Sequence, residues 1–151
     1  MKVKIRKAKK SDFESVLNLI VELAKFEKLD PPDEKAKKRL YKDTFGKRLS
    51  FRILVAQADN EIIGYAFYFF TYSSFLSRKT LYLEDIFITQ SKRNLGAGKL
   101  FMRRLVKIAK KQKCGRMEWA VLDWNKNAIE FYDKLGAKQL KDWIYYRINF
   151  H

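Results

Sequence analysis

A chain of 151 residues with 47% hydrophobic side chains can bury one sizeable core and is too apolar to stay disordered. Its formal charge of +16 admits a nucleic acid, an acidic membrane surface or an anionic cofactor as partner, but composition alone favours a heavily charged, solvated surface. One cysteine, Cys114, excludes an internal disulfide and a multi-cysteine metal site, and one histidine, His151, leaves no His-based triad or His-rich metal centre, so no metal is expected. No apolar run is long enough to span a bilayer. The start, MKVKIRKAKK, has no continuous apolar stretch and argues against a signal peptide. The compartment reads as cytoplasmic.

Lys2 to Arg6 alternates charged and β-branched residues, the period of a half-buried strand. Ser11-Asp12-Phe13-Glu14 reads as a capping box. Phe13, Val16, Leu17, Ile20, Leu23 and Ala24 then predict an amphipathic helix to about Lys28, stopped by Pro31-Pro32. Asp33 caps a second helix to about Phe45, and Gly46 allows the turn. Arg52 to Ala58 and Glu61 to Tyr72 form a hairpin around Asp59-Asn60, and the nearly unbroken apolar run Ile62 to Phe70 suits a strand covered on both faces. Thr80 to Thr89 is a strand, Gly96 to Gln112 a helix, Arg116 to Leu122 a strand, and Lys126 to Leu135 a helix ended by Gly136. Ala137 to Leu140 and Trp143 to Phe150 close the chain as two strands. Repeats, low-complexity segments and linkers are absent, which predicts one domain over residues 1–151. The class is α/β (α+β): a mixed, mostly antiparallel sheet flanked by helices, in the order βααββ-βα-βα-ββ. The strand–helix–strand unit from Thr80 onward should be a right-handed parallel crossover.

Within that unit, Leu81 to Lys99 joins a β-branched run carrying Glu84 and Asp85 to the loop Arg93-Asn94-Leu95-Gly96-Ala97-Gly98-Lys99. R-x-x-G-x-G between a strand and a helix start suits a pyrophosphate. Backbone N–H groups and the positive end of the helix dipole face the anion, and glycine permits close approach. A plain turn is the other reading of so short a motif.

Farther on, Asn125, Ala128, Phe131, Tyr132, Gly136 and Ala137 spell N-x-x-A-x-x-F-Y-x-x-x-G-A. Together the two motifs resemble the GNAT acetyltransferase superfamily. Leu23-Ala24-Lys25-Phe26-Glu27, Tyr65 to Tyr72, Leu81-Tyr82-Leu83-Glu84-Asp85 and Trp124-Asn125 narrow the resemblance to its diamine (spermidine/spermine) acetyltransferase branch. The resemblance covers nearly the whole chain from Ile5 to Ile148. It implies acetyl-CoA as co-substrate. Ile86, Phe87 and Ile88 would lie along the pantetheine arm, and Asn94, Leu95, Gly96, Ala97, Gly98 and Lys99 around the pyrophosphate, with Arg93 adding charge. Asn125 would hydrogen-bond the arm, with Asn127 and Ala128 beside it. Lys99 replaces a small residue often found at that position.

Acetyl transfer to an amine needs a neutral amine, a polarised thioester carbonyl and a proton for the departing thiolate. Alkyl amines have pKa values near that of Lys, about 10.4, so a proton must first be removed. Glu84 is the candidate base, directly or through one water, and pairing with a Lys is its ordinary alternative. The resemblance makes Tyr132 the proton donor, where helical spacing alone would make it a core ring. The amide near Phe87 is a candidate oxyanion donor. With no Cys–His pair, direct attack is expected. The resemblance further implies a polyamine or diamine acceptor held by Phe26, Glu27 and Trp143, with Glu84 and Asp85 adding negative charge, and a homodimer. The acceptor groove should be negative on an otherwise positive molecule. A lysine-like amino acid or a protein amino group is the rival acceptor. Nucleic-acid binding is the rival class, but the basic residues are dispersed and lack an RNA-binding aromatic signature. Cys114 reads as an inert, partly buried thiol and His151 as a frayed terminus.

Overall fold

In the computed structural model, which describes residues 1–150, five strands stand side by side in chain order: β1 (Val3–Lys7), β2 (Arg52–Ala58), β3 (Glu61–Ser73), β4 (Arg78–Ile88) and β5 (Arg116–Trp119). The first three pairings are antiparallel; β4 and β5 run parallel. A parallel pair needs a long crossover, supplied here by the helix α3 (Ala97–Lys111). All of this belongs to the first of two compact units, Met1–Ala120.

Side-chain alternation places Ile53, Val55, Tyr65 and Phe87 on one face of the sheet. There they form a core with Val16 and Leu19 of α1 (Phe13–Phe26). Leu54, Ala56 and Ala66, of opposite parity, are equally buried, as are Phe101 and Leu105 of α3. The sheet is therefore covered on both faces, as the apolar run in β3 requires. The helix α2 (Glu34–Phe45) buries no residue fully and is held by aromatic edges: Tyr41 and Phe45 lie 5.0 and 5.8 Å from the ring of Phe13. Asp33 caps it as expected, accepting from Ala36 N–H at 2.8 Å.

The start of α1 differs from the expected capping box. Residues 10–12 form a 3-10 turn, and the carboxylate of Asp12, not the hydroxyl of Ser11, organises it. Asp12 accepts from Lys9 N–H at 2.7 Å and from both terminal nitrogens of Arg6 at 2.7 and 3.0 Å. A bidentate guanidinium on β1 outcompetes a neutral hydroxyl cap.

The second unit begins at Val121 and contains α4 (Lys126–Lys134), with Gly136 in the left-handed region (φ 87°) just after it. The strands expected at Ala137–Leu140 and Trp143–Phe150 do not form. A β-rich pattern becomes a strand only on pairing, and this unit has no ladder to join. Trp143 is 74% and Tyr146 91% exposed. His151 lies outside the described residues.

Candidate active site

β4 outlasts its parallel partner. The ladder to β5 ends at Leu83 and Trp119, whereas β4 continues to Ile88. From Glu84 to Ile88 the strand keeps its antiparallel partner β3 and leaves its other edge unpaired. Backbone groups alternate between the two edges of a strand. Thr89 N–H donates to the carbonyl of Ile63, and the Phe87 carbonyl also faces β3. Ile86 and Ile88 therefore turn their backbone groups to the open edge, where an added strand would find them, and Phe87 does not. On the β3 side, Gly64 sits opposite Ile88, and an added Cβ would stand 2.7 Å from the carbonyl oxygen of Phe87.

After a 3-10 stretch over Gln90–Leu95, the chain enters α3 through Gly96, whose φ of 77° is the left-handed conformation that glycine adopts cheaply. No side chain caps α3. Leu100 N–H already bonds to the carbonyl of Gly96, and the preceding N–H groups of Ala97, Gly98 and Lys99 have no intrahelical acceptor. These donors, the helix dipole and the charge of Lys99 suit a pyrophosphate. Asn94 and Lys99 are exposed on the same turn, and Leu95 is half-buried. Arg93 is turned elsewhere. Its Nε donates to the carbonyl of Ile88 at 3.1 Å, and its guanidinium lies 5.7 Å from the ring centre of Phe26 and 5.4 Å from that of Phe87. Arg93 thus bridges the end of α1 and β4.

The acidic residues gather where β4 is irregular. Phe67 faces Asp85 and Tyr68 faces Leu83, so Glu84 is an extra residue in β4, a β-bulge. Paired residues share a face, so Leu83 and Asp85 point to opposite sides although they are two apart. Asp85 shares the α1 face with Phe67, Tyr65 and Phe87. Burial pushes its carboxyl up to about 6, against the hydrogen bond from Tyr65; the nearby charges of Glu84 and Glu27 push the same way as burial. Glu27, at the C-terminal cap of α1, is also raised by desolvation. Glu84 is exposed. Phe26, Glu27, Glu84 and Asp85 are thus brought together on the first unit.

Tyr65 was not among the residues expected to act. It is fully buried, and its phenol donates to Asp85 Oδ2 at 3.0 Å. Its position inside an apolar strand gives only one signal, a hydroxyl where only hydrocarbon is needed, and the cross-strand register is required to see its target.

The other expected residues belong to the second unit and are described within it. Asn125 caps α4, its Oδ1 accepting from Ala128 N–H at 3.3 Å. Asn127 is exposed in the first turn. Tyr132 is half-buried, its ring edge-on to Phe131 at 5.4 Å. Trp143 lies in the exposed segment after α4. Away from the carboxylates, Lys2, Lys4, Arg103, Arg104 and Lys107 line a groove of about 830 Å³ between β1 and α3 with one acid, Asp59. Part of the excess positive charge is therefore gathered on another surface.

The sequence pattern of the Acetyltransferase (GNAT) family matches residues 13–137. Thialysine N-epsilon-acetyltransferase of Bos taurus is 36% identical over 148 residues, covering 93% of this chain and 86% of that protein. Spermidine/spermine N(1)-acetyltransferase-like protein 1 of Homo sapiens is 35% identical over 155 residues, covering 96% of this chain and 22% of that longer protein. Among solved structures, a possible acetyltransferase from Clostridium difficile superposes with a TM-score of 0.84 over 100% of both chains at 18% identity, a likeness of fold.

Proposed function

Since the chain belongs to the GNAT family of acetyltransferases, we propose that this N-acetyltransferase moves acetyl from acetyl-CoA to the primary amine of a diamine or polyamine by direct attack. The observation that carries the acceptor is the proximity of Glu27 and Glu84 to Asp85, with Phe26 next to Glu27 at the end of α1, on a chain of charge +16. A cationic chain needs spaced carboxylates for its charges and an aromatic wall for its methylenes. Acetyl-CoA supplies the activated thioester. The N–H groups of Ala97, Gly98 and Lys99 would hold its pyrophosphate, and the unpaired edge at Ile86 and Ile88 would orient its pantetheine arm, with Asn125, Asn127 and Ala128 completing the cofactor set.

Glu84, the exposed bulge residue, takes the proton from the alkylammonium, directly or through water. Asp85 and Glu27 hold the distal charge, and Trp143 adds an aromatic surface. The amide near Phe87 polarises the carbonyl, and Tyr132 Oη holds the proton for the leaving thiol. Arg93 favours a second reading. A guanidinium beside Phe26 could meet the carboxylate of a lysine-like amino acid, in keeping with the thialysine name borne by a relative.

A homodimer and a cytoplasmic setting complete the proposal. The exposed aromatic segment from Trp143 to Phe150 supports the former; the single free thiol supports the latter. The described residues contain no helix long and apolar enough to cross a membrane. The test is CoA thiol release from acetyl-CoA with polyamines, diamines, lysine-like amino acids and peptides as acceptors. Diamine or polyamine turnover with the lowest KM supports the first reading, a preference for amino acids the second. Release with none of them sinks both.

A further inference from the structure

We infer that Tyr65 is a positioning residue of the acceptor site: its buried phenol fixes Asp85 by one oxygen, Oδ2, and leaves Oδ1 as the oxygen that meets the substrate's cation. The inference rests on the acceptor reading above. A tyrosine fully buried in a central strand must satisfy its hydroxyl, and here the acceptor is a carboxylate across the sheet, 20 residues on in sequence. The pair is held rigidly. Tyr65 faces Phe87 in the β3–β4 ladder and packs against Val16, Leu19, Ile53 and Val55, so its ring cannot swing away. Asp85, two residues before Phe87 on the same face, is reached diagonally, a distance that a long aromatic side chain spans.

The geometry solves a problem that the acidic cluster creates. Asp85 is crowded by like charges from the bulge residue Glu84 and from Glu27 at the end of α1, and it is partly desolvated. Each favours the protonated, uncharged form. Among the described residues, the hydrogen bond from Tyr65 is the one interaction that favours the carboxylate. Without it, Asp85 would rotate freely and carry a proton over much of the neutral range, losing its attraction for a cation. Tyr65 therefore acts through Asp85: it sets the pH above which the amine is gripped and the direction in which the grip points.

Tyr65→Phe keeps the ring and removes only the donor. Carbon-13 titration of the Asp85 carboxyl in the cofactor-free protein should show its pKa rise by roughly one unit in the variant. The acceptor KM should then rise roughly three- to fivefold between pH 6 and 6.5 and return to the wild-type value near pH 8.5, with the KM for acetyl-CoA unchanged. In the wild type, the ring carbon bearing the Tyr65 hydroxyl should titrate in step with Asp85, a measurement that needs no variant. Independent titrations, or an Asp85 pKa unmoved by Tyr65→Phe, would overturn the inference. So would a KM defect equal at every pH, the mark of a purely structural role. If the wild type transfers acetyl to no amine, the acceptor reading fails by itself, and the two titrations still decide whether Tyr65 controls Asp85.

Discussion

Glu22 and Thr89 stand 67 residues apart in sequence and touch: the Thr89 hydroxyl donates to the Glu22 carboxylate, its two oxygens 3.0 and 3.1 Å away. Gln90 N–H donates to the same carboxylate at 3.4 Å. The residue that opens the 3-10 stretch leading to the glycine turn is thereby tied to α1, the helix that ends at Phe26. Thr89→Val removes the donor at nearly constant shape. It should cost about 1.5 kcal/mol in chemical denaturation, the range for a hydrogen bond to a charged group. It should also raise the KM values for both substrates, and Thr89→Ser should restore most of each loss. A change confined to one substrate would show that the tie does not couple the two ends of the site.

Asp12 should dominate acid unfolding. Its hydrogen bonds from the Arg6 guanidinium hold its carboxyl below the usual carboxylate range, although burial opposes them. The native pKa lies beneath the unfolded value of about 3.9. The stabilisation is therefore complete above that value and is lost as pH falls through the native one. Asp12→Asn strands the Arg6 charge and should cost about 3 kcal/mol at pH 7. The gap from wild type should narrow as pH falls below the unfolded value and close only below the native one. A gap independent of pH would assign the loss to shape and not to charge.

Two glycines flank the open edge of β4 for different reasons, and alanine separates them. At Gly96 the obstacle is the backbone, with φ of 77° and nothing within 4 Å of an added Cβ. Alanine there should cost about 1 kcal/mol. At Gly64 the obstacle is the carbonyl oxygen of Phe87, 2.7 Å away, so strand β4 must shift. That change should cost about 3 kcal/mol and impair acetyl-CoA binding, read by calorimetry and thermal denaturation. Equal effects at the two positions would refute the distinction.

Tyr132→Phe tests the proton donor. Loss of general acid catalysis should lower kcat about 100-fold and leave the KM for acetyl-CoA nearly unchanged. Unchanged turnover across the pH range would remove Tyr132 from the mechanism.

The sequence makes the local features legible. Apolar alternation marks β1, and the unbroken run in β3 marks a strand covered twice. Asp33 declares its helix, and Arg93 to Lys99 announces the turn. What it hides lies between distant residues. Ser11 looks like a cap because a sequence does not show that Arg6 and Asp12 meet. Tyr65 looks like core because its partner is named only by register. Trp143 to Phe150 has the composition of a strand, yet pairing is a property of two segments and cannot be read from one. Arg93 is the reverse case: the right residue for a phosphate loop, engaged in the structure by Phe26, Phe87 and the carbonyl of Ile88.

The extra residue at Glu84 also bears on which lengths this chain can tolerate. Leu83 and Asp85 face opposite sides because Glu84 is inserted between them, so deleting Glu84 would straighten the strand and keep Asp85 opposite Phe67. Deleting one residue from Ile86 to Ile88 with the bulge kept would instead exchange the two faces for everything after the deletion. The open edge of β4 would be re-phased with it. The hairpin tip at 74–77, exposed and outside the strands, carries no such constraint. Insertions and deletions among descendants of this gene should accumulate at that tip and avoid the three residues from Ile86 to Ile88.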